Sequence, residues 1–161
     1  IKGTRYGESL ELSQQDTLVL LVNERYKIPE NLYIDHNVFQ LASNNMIAPD
    51  IRVYSTDDTT PTLRVQFYTQ EEKPVYDNMD FNWNYKNDTL RFDNYIKLAG
   101  QWRAQRVTLS LYLPENKKVL LPPQTSQYLR NLRDFDWGVR SRLNKDKILL
   151  IMQDGKLQPL M

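Results

Sequence analysis

Short runs of alternating apolar and polar residues dominate the chain. Leu63, Val65 and Phe67 point one way in their segment while Arg64 and Gln66 point the other, and Leu109, Leu111 and Leu113 oppose Ser110 and Tyr112 in the same manner. A period of two gives a strand one buried and one wet face, so both triplets are expected to point inward. The runs Leu18–Val22 and Ile148–Met152 are apolar on both sides and belong deeper in a sheet. On this pattern the predicted strands are Asp16–Val22, Asn31–Asp35, Ile51–Ser55, Thr62–Tyr68, Phe81–Tyr85, Thr89–Ile96, Val107–Leu113, Lys118–Leu121 and Lys147–Met152. One helix is expected over Thr125–Phe135, capped by Thr125 or Ser126, with Tyr128, Leu129 and Leu132 on one face. The Pro122–Pro123 pair is expected to bar an earlier start.

Glycine occurs only 5 times in 161 residues, so tight primed hairpin turns, which favour it, should be scarce. Asn and Asp, 13 of each, stand where the strands break, as in "DHN", "SNN", "TDDTT", "YDNMD" and "KND". Both tolerate left-handed backbone and hydrogen-bond their own turns. Many short strands punctuated in this way suit a sandwich, a barrel or a stacked solenoid. Self-similarity favours the last. "DTLVL" from Asp16 returns as "DTLRF" from Asp88, and the strand–turn–strand segment "LRVQFYTQEEKPVY" returns as "LSLYLPENKKVLL". The expected architecture is an all-β single domain over residues 1–161, built of stacked short strands like a solenoid and carrying one short helix. A β-sandwich is the alternative.

Charge adds an exclusion. Lys+Arg number 21 and Asp+Glu 20, a net charge of +1, so no overall field draws in nucleic acid or an anionic membrane. The segment Lys117–Lys147 is locally richer in Lys and Arg than in acids and reads as a solvated face. Cysteine is absent, which removes disulfides, thiol nucleophiles and thiolate metal sites together. No run approaches the roughly 20 apolar residues that span a bilayer, and no basic-then-apolar leader opens the chain. The first residue is Ile1 rather than Met, so the chain reads as a fragment of a longer protein.

Candidate chemistry is sparse. His36, the one histidine, sits in the polar turn "YIDHNVF" and reads as a surface residue with no partner for nucleophilic or metal chemistry. The adjacent carboxylates Asp57–Asp58 and Glu71–Glu72 would point to opposite faces of a strand, so neither pair makes an acid/base couple. No phosphate-cradling loop or calcium loop is present. No catalytic residue, metal site or cofactor is expected. The one candidate surface is "FNWNY", in which Phe81, Trp83 and Tyr85 alternate with Asn82 and Asn84. Exposed, these rings would form a stacking platform for a partner or ligand; inward, they would pack in the core, which is the expectation. Trp102 and Trp137 read as core or edge plugs.

The segment "WRAQRVTLSLYLPENKKVLL", preceded by "NDTLRFDNYIKLAGQ", resembles the C-terminal region of phage-shock-protein-C-related membrane proteins from Bacteroidetes. The shared features are Asn87–Phe92, Trp102, the strand and "YLPE" turn of Val107–Leu121, "FDWG" at Phe135–Gly138, and "LLIMQDGKL" at Leu149–Leu157. Leu150 stands where that family tends to place Trp. The resemblance implies a β-rich, toast-rack domain following transmembrane helices, with no catalytic residues to carry over. It implies a non-enzymatic sensing or scaffolding module of an envelope-stress membrane protein, acting through protein partners, either copies of itself or other envelope proteins. The membrane would be met only through an anchor outside this chain, with the domain on the periplasmic side of the cell envelope. A carbohydrate-binding or adhesin-like surface module is the alternative.

Overall fold

In the computed structural model, which describes residues 4–14, 17–26, 46–69, 79–99, 104–129 and 147–160, the chain turns repeatedly from sheet to sheet, and among these residues strands joined by a short turn pair with each other only in the hairpins at 83–93 and 148–159. The strands are β1 (Thr4–Glu11), β2 (Leu18–Asn23), β3 (Met46–Ile47), β4 (Asp50–Thr56), β5 (Thr62–Thr69), β6 (Met79–Asp80), β7 (Trp83–Lys86), β8 (Thr89–Asp93), β9 (Ile96–Leu98), β10 (Arg106–Pro114), β11 (Lys118–Leu121), β12 (Ile148–Gln153) and β13 (Lys156–Pro159), with α1 (Pro123–Leu129) between β11 and β12. They form a four-stranded sheet in the order β1-β5-β10-β4, a six-stranded sheet in the order β13-β12-β11-β2-β8-β7, and a small sheet β3-β9-β6. Among the described residues the fold is an all-β rack of open sheets with one short helix.

The segment "YLPENKK" shows the building principle. β10 belongs to the four-stranded sheet and β11 to the six-stranded one, so the Pro-Glu-Asn turn makes an arch between sheets and not a hairpin. Asn116 takes the left-handed conformation that the arch requires (φ 72°), and the Lys117 amide donates to the Pro114 carbonyl at 3.2 Å. The link from β1 to β2 crosses between the same two sheets. The Lys117 ammonium ties the two arches together by donating to the Ser13 carbonyl at 2.6 Å. Successive passes then lie side by side. β2 runs parallel to both β8 and β11, and β4 parallel to β10, which sets this rack apart from an antiparallel sandwich. The two "DTL" segments become neighbours in this way, with Leu20 beside Leu90 and Val22 beside Phe92. The matching residues are offset by two, an even step that keeps their inward faces together.

Buried side chains from all three sheets form one core. Leu63, Val65, Leu109, Leu111 and Leu113 are buried as the alternation predicts, and Phe67 is half-buried at the rim. Of the second predicted repeat, β5 and β10 are antiparallel neighbours, while the turn and following residues of its first copy, 70–76, lie outside the described residues. So does the predicted strand Asn31–Asp35.

Four sequence expectations are corrected. The strand expected over Thr89–Ile96 breaks at Asn94, whose side chain donates to the Tyr26 carbonyl (2.7 Å) and accepts the Tyr26 amide (3.2 Å); β8 and β9 therefore join different sheets. Phe81 precedes β7 instead of opening it. Helix α1 begins at Pro123, because the first helical position has no use for an amide hydrogen and the fixed φ of proline suits it. The part of the predicted helix beyond Leu129, Leu132 included, lies outside the described residues. Primed turns do occur. Asn87 (φ 51°) and Asp88 (φ 57°) close the β7–β8 hairpin without glycine, and Asp154 with Gly155 closes β12–β13.

Candidate functional site

The aromatic trio lies against the core. Phe81 is 7% exposed and meets Phe67 edge-on, with ring centres 6.4 Å apart. Trp83 stands opposite Phe92 and Tyr85 opposite Leu90, on the inward side of the edge strand β7, and both are half-buried. The Tyr85 hydroxyl accepts the Ser13 amide at 3.0 Å and donates to Asp88 at 3.1 Å, so it joins the β7–β8 turn to the first arch. Asn82 and Asn84 are exposed. His36, Trp102, Trp137 and Glu71–Glu72 lie outside the described residues, and Asp57–Asp58 are exposed in the β4–β5 turn. Among the described residues no cluster of acids and histidine is placed to hold a metal ion.

Another concentration of polar and aromatic groups lies on the outer face of the four-stranded sheet. Strand register arranges it in rows. Tyr112 lies between Tyr54 and Thr62, Ser110 between Arg52 and Arg64, Thr108 between Asp50 and Gln66, and Arg106 beside Tyr68. Two aromatic contacts bracket the face. Tyr54 and Tyr112 stack with ring centres 5.2 Å apart, and the Arg106 guanidinium lies 4.6 Å above the Tyr68 ring. Between them is a shallow depression of about 240 Å³. Ser110, 5% exposed, lines it with Arg52 and Arg64 opposite on the two neighbouring strands. Sequence alternation marks Arg64, Gln66, Ser110 and Tyr112 as wet positions. It could not find the site, because only the parallel pairing of β10 with β4 brings Arg52 and Tyr54 alongside.

Edge strand β1 continues this sheet, with Gly7, Glu8, Ser9, Leu10 and Glu11 all exposed. Over residues 33–159 the chain matches the model of the toast-rack domain found in some PspC (phage shock protein C) proteins. The chain belongs to this family. No curated protein and no solved structure matches it.

The matched part of the toast-rack domain contains the whole aromatic trio and the Tyr–Arg rows. Strands β1 and β2 precede the match, although β2 sits at the centre of the six-stranded sheet and β1 completes the four-stranded one. Membership fits a PspC-like envelope-stress domain from a non-catalytic family. Among the described residues no helix is long and apolar enough to cross a membrane.

A second polar cluster serves the toast-rack architecture. Arg25, just beyond β2, makes paired bonds to Asp80 on β6 (both 2.8 Å) and a third to Asp93 on β8 (2.9 Å). It thereby ties the small sheet to the six-stranded one. Asp93 also accepts the Asn82 amide at 2.8 Å, and the Tyr26 hydroxyl donates to Asp80 at 3.0 Å. The Arg25 hydrogen bonds hold the Asp80 carboxyl below the usual range, against the opposing effect of desolvation. Burial, followed by the bond to Asp80, pushes the Tyr26 phenol up to about 12.

Proposed function

We propose that the chain is a non-enzymatic sensing or scaffolding module of an envelope-stress membrane protein, and that it acts through protein contacts. The observation that carries this reading is the edge of β1. Over eight residues it pairs with β5 alone among the described residues, and its last five are exposed. An edge strand can offer its outward amide and carbonyl groups to an added strand. Leu10, on the inward side opposite Leu63, is 38% exposed and gives that edge an apolar anchor. In this reading the domain stands on the periplasmic side of the membrane, with its anchor outside this chain. The carbohydrate or adhesin-like alternative, through Phe81, Trp83 and Tyr85, has less support, since one of those rings is buried and the other two are half-buried.

The test is a photo-cross-linker at Ser9 in the intact parent protein. A discrete adduct, either with a second copy or with an envelope protein, is expected. Leu10→Lys should abolish it while leaving the thermal melt unchanged. No adduct, or one indifferent to Leu10→Lys, would overturn the reading.

A further inference from the structure

The outer face of the four-stranded sheet gathers three cations on adjacent strands, two of which meet no carboxylate among the described residues. Arg52, Arg64 and Arg106 rise from three adjacent strands. The acid within these rows, Asp50, is buried beside Arg52 with its carboxylate 3.9 Å from that guanidinium. Glu11 lies beyond Thr62, at the margin. Among the described residues no carboxylate pairs with Arg64 or Arg106.

The aromatic rings on this face narrow the choice of ligand. Tyr54 and Tyr112 stack on each other, and the Arg106 guanidinium covers Tyr68. Sugar or base stacking needs open ring faces, and here Tyr54 and Tyr112 each give one face to the other while Arg106 takes one face of Tyr68, so the cations are the larger share of what this face offers. A guanidinium held over a ring face by cation–π attraction loses less freedom on binding, and its fork of N–H donors matches a carboxylate. Spacing gives a further constraint. Arg106 is opposite Tyr68, and Arg64 is four residues from Tyr68 along β5. Four strand residues span roughly 13 Å, the same reach as two side chains at i and i+4 on an extended peptide.

We propose that this face binds an extended acidic segment of a protein partner, with Arg64 and Arg106 taking carboxylates four residues apart over the Ser110–Thr108 floor. The proposal rests on the protein-contact reading and adds to it the chemistry of the partner. The probe is a fluorescein-labelled Ser/Gly peptide carrying two Glu at i and i+4. Binding to the 161-residue chain is measured by anisotropy, beside the Gln version of the peptide, an oligomeric hexuronate, and vesicles containing an anionic phospholipid. Binding of the Glu peptide in preference to the other three is expected. Arg64→Gln and Arg106→Gln should each weaken it by about threefold and the pair by about tenfold, the range for exposed charge pairs. Equal binding of the Gln peptide, indifference to both substitutions, or preference for the hexuronate or the vesicles would overturn the proposal. If the peptide result fails while the Ser9 cross-link persists, the acidic partner is wrong and the contact reading stands. If the peptide binds as expected but Ser9 captures nothing, the β1 edge is wrong and this face stands.

Discussion

Tyr85 shows how much of the trio's role lies in one hydroxyl. Its ring rests against the core, and its oxygen serves both the Ser13 amide and Asp88. Tyr85→Phe keeps the ring and leaves the Ser13 amide without this acceptor, so it should lower stability by about 1 kcal/mol in urea unfolding. No loss beyond measurement error would show that water replaces the hydroxyl without cost. The inward direction of this residue could be read from the sequence, because Phe81, Trp83 and Tyr85 alternate with asparagines. The hydrogen bonds could not, since Ser13 lies 72 residues away in the chain. Arg106 teaches the same lesson on the other side of the rack. In sequence it is one basic residue among many, and only strand register sets it on Tyr68.

Helix α1 completes a sheet that a short strand leaves unfinished. β11 pairs with β2 only at Leu18 and Val19. Further along, Thr125 and Gln124 continue the work with side chains: the Val22 amide donates to the Thr125 hydroxyl at 2.9 Å, and the Gln124 amide group donates to the Val22 carbonyl at 3.0 Å. Thr125 is fully buried, so Thr125→Val should keep the shape and strand the Val22 amide, at about 1–3 kcal/mol. A variant as stable as the parent would mean that α1 only packs on β2. At this scale the strands with strict alternation, such as β5 and β10, were legible, and so was the presence of a helix after Pro122. β1 was not, because "TRYGESLE" lies at an exposed edge and carries no apolar stripe. The arch between β10 and β11 was legible as a turn but not as a change of sheet, since the inward leucines and valine alternate on both sides of it as they would in a hairpin.

Across the whole molecule, the Arg25 cluster couples the arrangement of sheets to pH. Asp80 is held below its ordinary value mainly by Arg25. A carboxyl with a lowered folded value adds stability that is present above its unfolded value, near 3.9, and is lost as pH falls through the folded one. Asp80 is nearly half exposed, so after solvent screening its share is under about 1 kcal/mol. Asp80→Asn should therefore be slightly less stable than the parent at pH 7, and the two urea midpoints should converge below pH 4. A constant gap down to pH 2 would remove the charge from the explanation. The phenols act with the opposite sign. Burial pushes Tyr95 up to about 12, and burial with the Asp80 bond does the same to Tyr26. A raised folded value gives stability that is complete below the unfolded value of about 10 and is lost as pH rises to about 12. Tyr26→Phe cannot ionise, so it should lose less stability than the parent between pH 10 and 12, while Lys and Arg titrate alike in both. Equal alkaline losses would show that the Tyr26 phenol ionises as readily folded as unfolded, and that Asp80 does not hold its proton.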